Sequence, residues 1–219
     1  MLCGIPFEFL WRPHELGKKS NMLLARPRTR SSWLRGDDVA VRPYLEGDLW
    51  VLQRTLGDPK QMLHLGGPEN EKKLQNRHNK FIALSADPSA GCMFVITVGP
   101  KRASAGTVGY WERDWDGQKV WETGWNVMPE FQGRGIATSA TRLVVGLLTK
   151  VRRHRYLFAY PSVDNHPSNA ICRKLGFTLT GDRNFEYPPG NILHCNIWRL
   201  DLLPNGSAQP AQSRQISGV

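Results

Sequence analysis

A strand that runs into a glycine turn and then a helix is the feature that most restricts what this chain can fold into. Over residues 119–127, Trp121 and Trp125 share one face and Glu122 lies on the other, as the two-residue period of a strand requires. From Gly135 onward the apolar residues recur at helical spacing; they are Ile136, Ala137, Ala140, Leu143, Val144, Leu147 and Leu148. This change of period predicts a helix that packs one stripe against a sheet.

The turn between strand and helix has the chemistry of a phosphate site. The first N–H groups of a helix have no partner in the helix and carry partial positive charge, which favours an anion. Gly133 and Gly135 would let a phosphate approach the backbone without a Cβ in the way. Arg134 would add a charge-assisted hydrogen bond. Two other phosphate-binding patterns are absent: Gly-Lys-Ser/Thr of nucleotide triphosphatases and Gly-x-Gly-x-x-Gly after a strand.

Two linked motifs resemble those of the GNAT superfamily of N-acetyltransferases, and come close to its ribosomal-protein N-terminal branch. The first is Gln-x-x-Gly-x-Ala at residues 132–137, preceded by Glu-x-Gly-Trp-x-Val-x-Pro at residues 122–129. The second is the Asn-x-x-Ser and Lys-Leu-Gly-Phe block of residues 165–177. The resemblance spans about residues 39–202. It implies an α/β (α+β) fold with a mixed, mostly antiparallel sheet, helices on both faces and two splayed strands.

The resemblance also implies acetyl-CoA as co-substrate and a primary amine as acceptor. The residues expected to bind acetyl-CoA are Val127, Met128, Gln132, Gly133, Arg134, Gly135, Ile136, Ala137, Thr138 and Asn165. Among them, the Val127 N–H is the candidate for polarising the thioester oxygen. Glu122 matches the strand glutamate that draws a proton from the ammonium. Ser168 either donates a proton to the leaving thiolate or caps the first turn of its helix.

The order of elements follows from the same patterns. Strands are expected at 38–42, 92–98, 106–111, 119–127, 156–160, 177–181 and 192–200. Helices are expected at 46–56, 69–84, from Gly135 onward and at 167–175. The loop at residues 64–68, with the helix after it, is expected to shape the acceptor pocket as in the resembling family. The strands that end at Val127 and Tyr160 are expected to splay and admit the pantetheine arm.

Composition divides the chain into three parts: a basic flexible extension (1–36), one catalytic domain (37–203) and a disordered tail rich in Pro, Gly, Ser and Gln (204–219). Half of the net charge of +10 lies in the extension, so nucleic acid is not an expected partner of the domain. Four scattered cysteines and no ligand spacing predict no metal site and a reduced, cytoplasmic protein. No apolar run is long enough to span a bilayer.

Two functions from different classes remain open at this stage. The leading hypothesis is an acetyl-CoA-dependent N-acetyltransferase acting on a protein N-terminus or a small amine. The alternative is a non-catalytic acyl-CoA-binding module with a basic arm that contacts nucleic acid or a ribosome. The sequence leaves the acceptor, the acyl chain length, the general acid, the oligomeric state (monomer or homodimer) and the native status of residues 1–21 undetermined.

Overall fold

The fold is one mixed sheet with helices on both faces, seen in a computed structural model that describes residues 34–35, 38–62, 67–186 and 190–203. The strands are β1 (Leu34–Arg35), β2 (Val39–Pro43), β3 (Gly91–Val98), β4 (Ala103–Trp115), β5 (Gln118–Val127), β6 (Tyr156–Ala159), β7 (Thr178–Glu186) and β8 (Ile192–Asp201). The helices are α1 (Leu49–Thr55), α2 (Glu71–Ala86), α3 (Ile136–Val151) and α4 (His166–Lys174).

The strand order is β1-β2-β3-β4-β5-β6-β8-β7, and every neighbouring pair is antiparallel except β5 with β6. The predicted fold class is therefore confirmed. The short edge strand β1 lies inside the segment that the sequence assigned to the extension. It was not predicted because a strand of two residues has no periodic pattern. The remainder of that extension, the tail at 204–219 and most of the loop at 64–68 lie outside the described residues.

The hairpin of β4 and β5 is longer than the sequence pattern predicted. The pattern ended the earlier strand at Trp111, whereas β4 continues to Trp115. The two strands are joined by Asp116 and Gly117, whose φ angles of 47° and 79° are both positive. Two central residues with positive φ make the tight hairpin turn that Asp-Gly favours. The hairpin therefore extends Arg113 and Trp115 along the same sheet face as Glu122.

Two apolar clusters hold the helices on the two faces. On the first face, α3 contributes Ile136, Ala140, Val144 and Leu148, which pack with Trp121, Trp125 and Val127 of β5. On the second face, α1 and α2 contribute Val51, Leu52, Leu74 and Phe81, which pack with Met93 and Val95 of β3. Burying a large apolar side chain contributes about 1.5–3 kcal/mol, so these stripes fix the helices and the turn that precedes α3.

A third cluster covers the second face over β5, β6, β8 and β7, and among the described residues no helix contributes to it. Its members are Val120, Phe158, Tyr160, Cys195 and Ile197, with Trp115, Tyr156, Phe185 and Leu193 packed against them. Glu122 belongs to this face, because it is two residues from Val120 and alternates with Trp121. This aromatic half of the face is built mainly from strand residues, and its central members are buried beside the carboxylate. Within the described residues, no helix is long and apolar enough to cross a membrane.

Candidate active site

Strands β5 and β6 separate shortly after they meet. Their parallel pairing consists of Trp121 with Leu157 and Glu122 with Phe158. Beyond that point β5 continues to Val127, while β6 ends at Ala159. The last five residues of β5 therefore present an open edge on the side of β6. This is the splayed arrangement expected from the sequence.

The backbone of Val127 points into this gap. The N–H of Met128 donates to the carbonyl of Ala105 in β4 at 2.8 Å. Because successive residues of a strand direct their N–H groups to opposite edges, the Val127 N–H faces the open edge. The Val127 carbonyl faces the same way and accepts a hydrogen bond from Nε2 of Gln132 at 2.9 Å. Gln132 thus ties the turn to the end of β5 and leaves the Val127 N–H available.

The glycine turn opens directly onto the N-terminus of α3. Gly133 and Gly135 both have a φ of 73°, a conformation that residues with a Cβ rarely adopt. A Cβ built on either would meet no atom within 4 Å, so the space beside the turn is free for a ligand. Gly135 is the N-cap of α3, and the first helical bond inside it is donated by Ser139. The N–H groups of Ile136, Ala137 and Thr138 precede that bond and lie at the positive end of the helix.

A cavity of about 350 Å³ joins the turn to the gap. Seven residues predicted to bind acetyl-CoA line it: Val127, Gln132, Gly133, Gly135, Ile136, Ala137 and Thr138. Its opposite wall is α4, through Pro167, Ala170, Ile171 and Lys174, which the sequence analysis did not single out. Trp125 lines the floor, and its buried Nε1 has no hydrogen-bond partner among the described residues.

Three of the predicted cofactor-binding residues lie elsewhere. The Met128 side chain is buried among the residues of α1 and α2, because strand alternation turns it to the second face. Arg134 is exposed, with its guanidinium 5.7 Å from the ring of Phe131. Asn165 is the N-cap of α4, and its Oδ1 accepts from the N–H of Ser168 at 3.2 Å. The structure does not place Met128 in the cavity, and it gives Asn165 a capping role.

Ser168 lies in the first turn of α4 but does not cap it. Asn165 supplies the cap, whereas the Ser168 side chain is fully buried and its Oγ has no hydrogen-bond partner among the described residues. Of the two roles left open by the sequence, side-chain capping is therefore not the one observed. Ser168 is not among the residues that line the cavity.

Glu122 is buried in an ion pair that the sequence analysis did not anticipate. Its Oε2 accepts from Nη1 of Arg113 at 2.6 Å, and the two side chains are 1% and 6% exposed. The guanidinium carbon of Arg113 lies 4.5 Å from the centre of the Tyr160 ring. Burial, followed by the charge of Glu122, raises the pKa of Tyr160, and the same causes raise that of Cys195 to about 12. Neither group supplies an anionic base or nucleophile near neutral pH.

Asn169 fixes α4 to the sheet and was also missed. Its Nδ2 donates to the carbonyls of Ser162 and Asn165, both at 2.9 Å. Its Oδ1 accepts from Asn196 Nδ2 and Trp198 Nε1, both at 2.7 Å. Asn169 lies one residue after Ser168 in the second motif, but the donors to its Oδ1 are 27 and 29 residues away along the chain, where no local pattern shows them.

Comparison with known families decides the assignment of this fold. Residues 38–178 match the model of the acetyltransferase (GNAT) domain, which is more than half of the chain. The chain belongs to the GNAT family of acetyltransferases. The matched region contains both motifs, the glycine turn, the gap and Glu122. No curated protein shows significant sequence similarity to it.

Solved GNAT structures share the fold at low sequence identity. A GNAT acetyltransferase from Bacillus anthracis is 18% identical, has a TM-score of 0.64, and the match covers 78% of this chain and 98% of that one. A ribosomal-protein-S5-alanine acetyltransferase from Vibrio fischeri is 15% identical, with a TM-score of 0.64 and coverage of 77% and 96%. A ribosomal L7/L12 α-N-protein acetyltransferase in complex with coenzyme A is 17% identical, with a TM-score of 0.62 and coverage of 77% and 97%.

Proposed function

We propose that this GNAT protein transfers the acetyl group of acetyl-CoA to a primary amine, either a protein N-terminus or a small amine. The observation that carries the proposal is the continuity between the free helix start at Gly135 and the open edge at Val127. A pyrophosphate at the helix start and a pantetheine arm along the open edge would bring a thioester to the Val127 N–H. Several relatives of the same fold bear names that describe N-terminal acetylation or a coenzyme A complex, which supports the assignment.

The reaction requires little more than alignment of the two reactants. The amine nitrogen forms a bond to the thioester carbonyl carbon, the carbon–sulfur bond breaks, and the thiolate takes up a proton. Holding both reactants in line can supply an effective molarity of about 10⁵ M or more. The Val127 N–H would stabilise the developing oxyanion. Ser168, with its unpartnered buried hydroxyl, is the proposed donor to the thiolate.

Glu122 is the proposed acceptor of the amine proton, and its distance from Val127 determines the route by which the proton reaches it. Five residues of extended strand separate it from Val127, which is roughly 17 Å. A proton leaving an amine at the thioester would therefore reach the carboxylate through water. The pairing of Glu122 with Arg113 weakens the carboxylate as a base, since protonation would leave a buried guanidinium without its counter-ion. Water-relayed deprotonation at a modest rate is the expected mechanism.

The same pairing favours one alternative, a GNAT domain that binds acyl-CoA without turnover. The two functions separate in a titration of acetyl-CoA by calorimetry, beside an Arg134→Glu, Gly135→Asp double variant that repels the pyrophosphate. Micromolar binding that the variant loses, together with acetylation of an amine, supports the enzyme. Binding without turnover on any amine tested supports the binding module. No binding by the unaltered protein would refute both.

A further inference from the structure

A second cavity, of about 420 Å³, lies on the half of the second face that the third cluster forms, on the opposite side of Glu122 from Val127. We call it the arginine cleft; the residues that matter here are Trp115, Asp116, Val120, Tyr156, Arg183 and Arg199. Val120 precedes Glu122 by two residues, about 7 Å along β5. The cleft is therefore a continuation of the surface on which Glu122 lies, and it shares no lining residue with the cavity at the glycine turn.

Aromatic rings hold the arginines of the cleft in fixed positions. The guanidinium carbon of Arg183 lies 4.7 Å from the centre of the Trp115 ring, and that of Arg199 lies 4.9 Å from the centre of the Tyr156 ring. A guanidinium stacked on a ring keeps its N–H edge free, and that edge matches the two oxygens of a carboxylate. The two guanidinium groups therefore present N–H edges to an anion. Because the rings already order these side chains, little side-chain entropy is lost when the anion binds.

The charges in the cleft leave room for an incoming anion. Within the described residues, Arg199 has no carboxylate within the 4.0 Å of an ion pair. Arg183 has only Asp116, at the limiting distance of 4.0 Å, and both side chains are more than half exposed. Asp201 pairs with Arg155 at 2.8 Å, and the charge of Arg199, after that of Arg155, also lowers the pKa of Asp201. The cleft therefore carries two guanidinium groups whose neighbouring carboxylates are either at the limiting ion-pair distance, as Asp116 is, or already paired, as Asp201 is.

We propose that the arginine cleft binds acidic side chains of a polypeptide acceptor, downstream of the amine to be acetylated. This inference rests on the proposed function for the identity of the ligand. Val127 and Val120 are seven residues apart on β5, about 23 Å, which an extended peptide spans in roughly seven residues. An N-terminus at the gap would bring its seventh residue and those that follow to the arginines. The protein thus selects N-termini followed by Asp or Glu.

The ring faces in the cleft explain the preference for a peptide over a nucleic acid. Single-stranded nucleic acids bind proteins by stacking bases on open aromatic rings. Here Trp115 has the guanidinium groups of Arg113 and Arg183 near its ring, and Tyr156 has those of Arg155 and Arg199. The stacking positions are therefore occupied, and the available groups are N–H donors suited to carboxylates.

The test uses two decapeptides with a free α-amine that differ only at residues seven to ten, Glu in one and Gln in the other. Binding to the full chain in the presence of coenzyme A is measured by anisotropy of a C-terminal fluorophore. The Glu peptide should bind about ten-fold more tightly. Arg183→Gln and Arg199→Gln should each weaken it by about three- to five-fold, as partly exposed pairs do. Arg142→Gln, which removes an exposed charge from α3, should change it by less than about two-fold.

Equal binding of the Glu and Gln peptides would overturn the proposal. The proposal would also be overturned if an oligothymidylate displaced the Glu peptide and if the two arginine substitutions weakened oligothymidylate binding more than peptide binding. The same peptides are then assayed for acetylation by mass spectrometry. Selective binding without acetylation would leave the cleft standing and count against a protein N-terminus as the acceptor. Acetylation with one KM for both peptides would support the transferase function and overturn the cleft.

Discussion

Arg113 and Glu122 form a buried ion pair between adjacent strands of the hairpin, with Nη1 and Oε2 2.6 Å apart. The pair lies beneath the aromatic rings of Trp115, Tyr160 and Phe185, all within 5.5 Å of the guanidinium carbon. Removing one member of such a pair leaves an uncompensated charge in a low-dielectric environment. Glu122 therefore contributes to folding as well as to any proton transfer, and the two contributions have to be measured separately.

Substitution of Glu122 by Gln is expected to lower both stability and turnover. Loss of the carboxylate should lower the free energy of unfolding by about 3–5 kcal/mol, measured in urea. Turnover should fall at least about ten-fold at saturating substrates, within the usual range for a general base. The double variant Glu122→Gln, Arg113→Met is the control, because it removes both charges and should recover part of the stability. If the double variant recovered both its stability and its turnover, Glu122 would be excluded as the base.

Substitution of Gln132 by Ala is expected to weaken acetyl-CoA binding. The change removes the hydrogen bond to the Val127 carbonyl, which holds the turn against the end of β5. One such bond contributes about 0.5–1.5 kcal/mol, so the dissociation constant from calorimetry should rise by about two- to ten-fold. Gln132→Glu is a stricter variant, since a carboxylate repels both the carbonyl and the phosphate. If neither variant alters affinity, the turn is positioned without this bond.

The sequence could predict what depends on local periodicity. Local patterns predicted the sheet, the helix start and most of the cavity lining. These patterns are the change of period at Gly135, the two motifs and the strand that carries Glu122. The Asp116-Gly117 turn was also a readable signal that would have extended β4 to Trp115. The same turn fixes the register that puts Arg113 opposite Val120 and beside Glu122, so the ion pair was missed together with the turn.

The missed and misplaced site residues share a physical cause. Met128 was predicted to bind the cofactor from the resemblance, and its side chain packs on the second face because adjacent strand residues face opposite sides of the sheet. Asn169 and the arginines of the cleft meet partners that are close only after β8 has paired with β6 and β7. Asn165 caps α4 through its side chain, whereas the Ser168 hydroxyl has no partner among the described residues. Which side chain of a helical turn makes the capping hydrogen bond depends on the side-chain rotamers.

Substitution of Asn169 by Ala is expected to destabilise α4 and the wall of the cavity. The change leaves the Nε1 of Trp198 and the Nδ2 of Asn196 without their acceptor. A buried polar group left unsatisfied costs about 1–3 kcal/mol, so unfolding in urea should show a loss in that range or above. Asn169→Asp keeps the acceptor but replaces the donor with a buried carboxylate that faces two carbonyl oxygens, so it should destabilise at least as much as Ala. A loss below about 1 kcal/mol in the Ala variant would mean that Asn169 does not fix α4.

His154 is expected to make the stability of the protein depend on pH. Its Nε2 lies 2.8 Å from Oε1 of Glu112, and its ring centre lies 4.6 Å from that of Trp121. Burial lowers the pKa of His154 below its ordinary value of about 6.5, although the hydrogen bond to Glu112 acts in the opposite direction. The neutral ring is thus the form that the folded state favours.

The sign of the effect follows from this lowered pKa. Below about pH 6.5 the unfolded chain binds a proton at His154 that the folded chain does not yet bind, so stability is lost as pH falls through the folded pKa. Urea unfolding at pH 7.5, 6.5 and 5.5 should show a decline that is smaller in His154→Gln. The exposed His166 provides the control, and His166→Gln should retain the full decline. An identical decline in the unaltered protein and in His154→Gln would mean that another group titrates in this window.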